Sequence, residues 1–130
     1  ALSTPNASCS IRRTAITATA GTTCSVVATK AASGVFASVI SDPVVFTFKG
    51  AQATLSISNT VLINAVGVGV AITTAGGSGT GALTLAVTGT NCVLTESVLT
   101  ATGPASCVVS ASKAQDSIFV VSNTATQGFT

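Results

Sequence analysis

The cysteines of this 130-residue chain show a repeat that restricts what it can fold into. They form two pairs with the same spacing along the sequence, Cys9 with Cys24 and Cys92 with Cys107. The shift that places the first pair on the second also aligns residues 1–47 with residues 84–130 without a gap. Thirteen of the 47 aligned positions are identical, including both cysteines, a lysine and two phenylalanines. Since position 1 aligns with position 84, the chain contains an internal repeat with an offset of 83.

The repeat divides the chain unequally. We predict a partial repeat over residues 1–48 and a complete repeat over residues 49–130. The partial repeat lacks a counterpart of residues 51–83, which we call the front half. Residues 1–47 and 84–130 are the two back halves. A unit without its first strands exposes apolar core and unpaired strand edges, so we expect residues 1–47 to be incomplete by themselves.

Short segments in which apolar and polar residues alternate indicate β-strands throughout the complete repeat. Seven such segments are separated by turn residues, at 54–58, 66–72, 82–88, 92–94, 97–102, 107–112 and 118–129. Hydrophobic residues make up 47% of the chain, and β-branched side chains are abundant, which favours strands over helices. Seven short antiparallel strands at this spacing predict an all-β sandwich.

Four motifs of the chain resemble bacterial immunoglobulin-like repeats. They are Gln-Ala-Thr-Leu-Ser-Ile-Ser at 52–58, Ala-Gly-Gly-Ser-Gly-Thr-Gly-Ala-Leu at 75–83, Thr-Gly-Thr-Asn-Cys at 88–92 and Cys-Val-Val-Ser-Ala-Ser-Lys-Ala at 107–114. Such repeats are strung in tandem along large secreted or cell-surface proteins. The resemblance implies an immunoglobulin-like antiparallel β-sandwich in an extracellular protein.

The cysteines are expected to form disulfides. Their spacing differs from that of zinc ligands, and no His completes a metal site. The repeat selects Cys9–Cys24 and Cys92–Cys107 among the three possible pairings, because each unit should close itself. In a flat meander the two strands concerned would lie roughly 9.6 Å apart, whereas a disulfide spans about 7 Å at most. We therefore predict that the third strand crosses to another sheet or that the sheet end curls, and that the protein occupies an oxidising compartment.

The residue inventory argues against catalysis. Without His, and with Asp42, Glu96 and Asp116 as the only acids, the chain lacks the usual acid–base pairs, so we expect neither an enzyme nor a cofactor. Residues 77–82 match a degenerate dinucleotide-binding pattern, but an alternating strand follows them, which indicates a loop.

Charge and hydropathy argue against nucleic-acid binding and against a transmembrane helix. A net charge of +2 is too weak and scattered for nucleic-acid binding. The longest apolar run, residues 61–72, is too short for a transmembrane helix.

Two further features lie at predicted surface turns. Asn6-Ala-Ser8 is an acceptor sequence for N-glycosylation, which makes Asn6 a candidate site. Arg12-Arg13 and Thr95-Glu96 occupy equivalent turn tips of the two back halves. Opposite charges at these tips suggest pairing between neighbouring units or chains, and solvated turn residues are the simpler interpretation.

The incomplete unit predicts a structural role. We expect a component of an extracellular bacterial fibre, filament or surface stalk that self-associates, head to tail or by interchain strand pairing. Residues 53–58 and 120–129 are the candidate donor strands, represented by Ala53, Leu55, Ile57, Val120 and Phe129.

Two alternatives stay open from the sequence. One is a surface adhesin or binding module of a cell or phage surface that recognises a host or cell-surface partner, although the only aromatics are five phenylalanines and four of them keep repeat register. The other is that the chain is an arbitrary segment of a longer repeat array.

Overall fold

The protein is all-β in a computed structural model that describes residues 1–130. Every strand pairing is antiparallel, and there is no helix, hence none that could cross a membrane. The chain folds into two compact units, Ala1–Gly50 and Ala51–Thr130, which we call the first and second units. The division follows Gly50, two residues beyond the boundary expected from the repeat.

The first unit consists of a hairpin and a separate sheet. Its strands are β1 (Leu2–Ser3), β2 (Cys9–Arg12), β3 (Ala15–Ala18), β4 (Thr22–Lys30), β5 (Val39–Ile40) and β6 (Val44–Phe48). β2 pairs only with β3, while β4 pairs with β1, β5 and β6. The long β4 is rich in Thr and Val, whose β-branched side chains favour the extended backbone.

The second unit contains three small sheets. Its strands are β7 (Ser56–Ile57), β8 (Val70–Ala71), β9 (Thr74–Ala75), β10 (Leu83–Thr88), β11 (Cys92–Thr95), β12 (Val98–Ala101), β13 (Cys107–Lys113) and β14 (Ala125–Phe129). The sheet orders are β10-β13-β14, β11-β12-β8 and β7-β9. The central strand β13 therefore has a partner on each side.

The core of the second unit is built from both of its halves. The buried apolar side chains belong to two clusters, one of Ile72, Leu99, Cys107, Val109 and Phe129 and the other of Leu55, Ala111 and Ala125. Along β13, alternate residues point inward, which is the period of a strand with one buried face. Leu55 and Ile72 come from the front half, so this segment closes the core of the back half.

The strand expected over residues 118–129 is shorter than predicted and begins only at Ala125. The Asp116 carboxylate accepts hydrogen bonds from the N–H groups of Ile118 and Phe119 at 2.8 and 2.7 Å. The Asn123 side chain bonds the backbone of Leu55 in both directions. Because side chains fix this backbone, the segment before Ala125 forms a connection and not a ladder.

The strands expected at 54–58 and 66–72 are also shorter. Only Ser56–Ile57 and Val70–Ala71 pair. Gly67 adopts a φ of 80°, in the left-handed region that an extended strand does not use. Its N–H donates to the Ala101 carbonyl at 2.9 Å, so the alternation of glycine and valine in this segment belongs partly to a turn.

Candidate functional site

Both disulfides join a hairpin to a strand of another sheet. The bonds link Cys9 to Cys24 and Cys92 to Cys107, with Cα–Cα distances of 6.0 and 5.8 Å. In each unit the first cysteine lies on the hairpin, β2 or β11, and the second on β4 or β13, which the hairpin does not pair with. The third strand thus crosses to another sheet, as the distance argument predicts. No cysteine is free.

The Asn6 side chain bonds the backbone of the residues that precede the two cysteines of the first disulfide. Its Oδ1 accepts from the Ser8 N–H at 2.9 Å, and its Nδ2 donates to the Thr23 carbonyl at 3.0 Å. The side chain is half-buried. Glycosylation at Asn6 stays a prediction, and one N–H of the amide would keep the bond to Thr23 after a sugar is attached.

The charged turn tips lie at equivalent hairpins. Arg13 follows β2 with a φ of 57°, and Glu96 follows β11 with a φ of 54°. Both residues are exposed. Single residues in the left-handed region are usual in such tight loops, so the tips have the same backbone and opposite charge.

The glycine-rich segment 77–82 contains no strand and is anchored by side chains. Asp116 Oδ2 accepts from the N–H and the hydroxyl of Thr80 at 2.6 and 3.2 Å. The N–H donors of Phe119, Thr80 and Ile118 lower the pKa of Asp116 to about 2, because they stabilise its charged form. Lys113 Nζ donates to the Gly77 carbonyl at 3.1 Å. The loop is thus a packed connection within the second unit.

Strand pairing in the two back halves follows one register. Three pairings of the first unit have counterparts at the aligned positions of the second: Cys9 with Ala18 and Cys92 with Ala101, Leu2 with Ala28 and Leu85 with Ala111, Cys24 with Phe46 and Cys107 with Phe129. The disulfides join aligned positions in the same way. These positions therefore have the same neighbours within each unit.

An apolar groove of about 250 Å³ lies on the first unit. The principal side chains that line it are Leu2, Ile11, Ile16, Val26, Val44 and Phe46. Only the two cysteines of this unit are buried, so the apolar side chains between the hairpin and the sheet remain accessible to solvent. A further open region of about 470 Å³ shares Leu2 with the groove and extends toward Arg13 and Lys30.

The same positions are closed in the second unit. Phe46 is 41% exposed, whereas its counterpart Phe129 is 6% exposed. Val26 is half-buried, whereas its counterpart Val109 is fully buried. The difference arises because the front half packs on the second back half and no equivalent segment packs on the first.

One strand edge borders the groove without a partner. In the second unit β12 pairs with β11 on one edge and with β8 on the other. In the first unit the counterpart β3 pairs only with β2. The groove therefore combines an apolar floor with a free strand edge, the two features that an added strand requires.

The residues expected as strand donors lie mostly in the second unit's own core. Leu55 and Phe129 are buried and Ile57 packs against them, while Ala53 is exposed. Val120 is 40% exposed and precedes β14. Donation of Leu55, Ile57 or Phe129 to another chain would require the second unit to open.

The sequence pattern did not identify the groove residues, although the repeat alignment contains a signal for them. Ile11, Ile16 and Phe46 align with Leu94, Leu99 and Phe129. Leu99 and Phe129 belong to the second unit's core cluster, and Leu94 packs against it. Transferring core positions across the repeat would have identified them as core residues without a cover.

Comparisons of the chain with protein-family models, curated proteins and solved structures find no match.

Proposed function

We propose that this chain is a structural segment of an extracellular fibre or surface stalk. It consists of immunoglobulin-like sandwich repeats, and its incomplete first unit is completed by strand pairing with another polypeptide. The observation that carries this proposal is the open groove at positions that are core in the second unit, Phe46 against Phe129 above all.

The shared register supports the repeat. Two back halves with 13 identities in 47 positions share three strand pairings and the position of the disulfide. A stalk or fibre is the usual use of such units, because repeats that contact only their neighbours extend along one axis.

The exposed surface of the first unit supports association. Val35, Phe36, Val39, Ile40, Val44 and Val45 are all more than half exposed. Charged residues make up only 6% of the chain, whereas isolated soluble domains carry about 25%. Many exposed apolar side chains together with few charges are typical of a protein that packs against other chains.

The disulfides support an extracellular location. Two bonds in a 130-residue chain without free cysteine are typical of proteins that fold in an oxidising compartment. Each joins cysteines with a sequence separation of 15, and closing such a loop stabilises the unit by about 3 kcal/mol in the chain-entropy model. This contribution matters most in the first unit, where few side chains are buried.

Association can be tested by analytical ultracentrifugation and electron microscopy of the oxidised chain over a range of concentrations. We expect concentration-dependent oligomers or filaments. The double variant Val44→Asp, Phe46→Asp should abolish them, because it places two charges in the groove. The matched control is Val93→Asp, Val108→Asp, which changes two side chains of similar exposure in the second unit and should associate like the parent.

A monomer at every concentration, with residues 1–47 fully ordered and protected, would contradict the proposed role. Equal loss of association in both double variants would show that general surface hydrophobicity drives assembly and would remove the groove from the account.

A further inference from the structure

We propose that the groove of the first unit binds a further front half, an uncharged extended segment with the sequence pattern of residues 51–83. This inference rests on the proposed function and names the partner of that site. The second unit supplies the template, because there a front half occupies the equivalent surface.

In the second unit the front half covers the core with alternating apolar side chains. Leu55, Ile57 and Ile72 pack in the two core clusters against side chains of the back half, including Leu99. The same segment adds a strand, since Val70 pairs with Leu99 and extends the β12 edge. Occupancy thus combines side-chain burial with backbone pairing.

The first unit offers the same two features at the aligned positions. Ile16, the counterpart of Leu99, lies in the groove and on β3, whose outer edge has no partner. Val26 and Phe46 supply the floor that Val109 and Phe129 form in the second unit. An occupant that follows the pattern of residues 70–72 would therefore pair antiparallel to β3 and place an apolar side chain over Ile16.

The polar residues at the rim, where the groove meets the open region, also suit a front half as the occupant. Lys113 Nζ donates to the Gly77 carbonyl of the front half at 3.1 Å. Its counterpart Lys30, like Arg13, lines the open region that shares Leu2 with the groove. Residues 51–83 contain no charged side chain, so the complement of Lys30 is a backbone carbonyl, as at Gly77. A glycine-containing, uncharged segment fits this rim because its carbonyls are accessible to the lysine.

The test uses the oxidised full chain and a labelled synthetic peptide of residues 51–83. We expect saturable binding with one peptide per chain, measured by fluorescence anisotropy. Hydrogen exchange should show that amides of residues 15–18 become protected while those of residues 98–101 do not change. A control peptide carrying Leu55→Asp and Ile72→Asp should bind at least about tenfold more weakly, because each buried aliphatic side chain contributes more than one decade of affinity.

A second pair of variants places the contact on the chain. Ile16→Asp should weaken binding of the parent peptide by at least about tenfold, whereas Val93→Asp, on the exposed face of β11, should leave it unchanged. The peptide variants keep the test valid if Ile16→Asp disturbs the first unit, since they leave the chain intact.

Absence of binding, equal binding of the control peptide, or protection only in the second unit would each overturn the inference. If the chain assembles, residues 15–18 are protected in that assembly and the peptide of residues 51–83 does not compete for the groove, a different segment fills it. The inference then fails and the proposed fibre role stands. If neither peptide binding nor assembly occurs, both fail.

Discussion

Truncation of two aligned phenylalanines should have unequal effects on stability. Phe129 is 6% exposed and belongs to the second unit's main core cluster, whereas Phe46 is 41% exposed on the open groove. Phe129→Ala removes a fully packed ring and leaves a closed cavity, which costs roughly 3–5 kcal/mol in protein cores. Phe46→Ala removes a ring that already contacts water on one side, so we expect roughly 1–2 kcal/mol.

The two units can be followed separately by fluorine NMR of the chain labelled with fluorophenylalanine. Phe119 then reports on the second unit, and Phe36 and Phe48 report on the first. With an m-value of about 1.5 kcal/mol/M, Phe129→Ala should lower the urea midpoint seen by Phe119 by roughly 2–3 M. Phe46→Ala should lower the midpoint seen by Phe48 by roughly 0.7–1.3 M.

Equal midpoint shifts would refute this reasoning. They would mean that Phe46 is as well packed as Phe129, hence that the groove is closed in solution. If Phe46→Ala caused a large midpoint shift that disappeared on dilution, Phe46 would instead be packed in an interface between chains.

Three further predictions concern the second unit. Replacing Cys92 and Cys107 together by Ser should destabilise it by about 3 kcal/mol, because a 15-residue loop is no longer closed, and the lowered unfolding temperature can be measured by calorimetry. Asp116→Asn should lower the unfolding temperature above pH 4, and this difference should vanish toward pH 2. The pKa of Asp116 is lowered from 3.8 to about 2 in the fold, so its contribution is present above the higher value and is lost as pH falls through the lower one. Gly81→Ala should destabilise the unit because its Cβ would lie 2.0 Å from the Ala114 carbonyl oxygen, while Gly128→Ala, with no atom within 4 Å of the added carbon, should be neutral in the same melting assay.

The back halves could be predicted well because their signals are local and repeated. The turn tips at Arg13 and Glu96, the hairpins before and after them and both disulfides follow from a spacing that occurs twice. The spacing of the cysteines even required the third strand to leave the sheet of the first two, since the distance across a flat sheet exceeds the reach of a disulfide.

The front half was harder to predict because side chains, and not ladders, fix much of its backbone. Gly76 and Gly81 lie so close to the Thr54 and Ala114 carbonyls that a Cβ would clash at 1.9 and 2.0 Å, which alternation patterns do not reveal. For the same reason the pattern does not reveal that Leu55, a predicted donor residue, is 2% exposed in the core of its own unit, and its donor role stays a prediction. The sequence pattern shows which side chains can be buried, but it does not show which segment of the fold covers them.

The most direct test of the open groove is native-state hydrogen exchange of the dilute, oxidised parent chain, compared between the aligned strands β3 and β12. Both strands pair with a hairpin partner, but only β12 has a second partner and a covered face. We predict that residues 98–101 exchange at least about a hundredfold more slowly than residues 15–18, since a strand in a closed core opens only with the unit. Equal protection of the two strands would contradict the account, because the first unit would then already be complete.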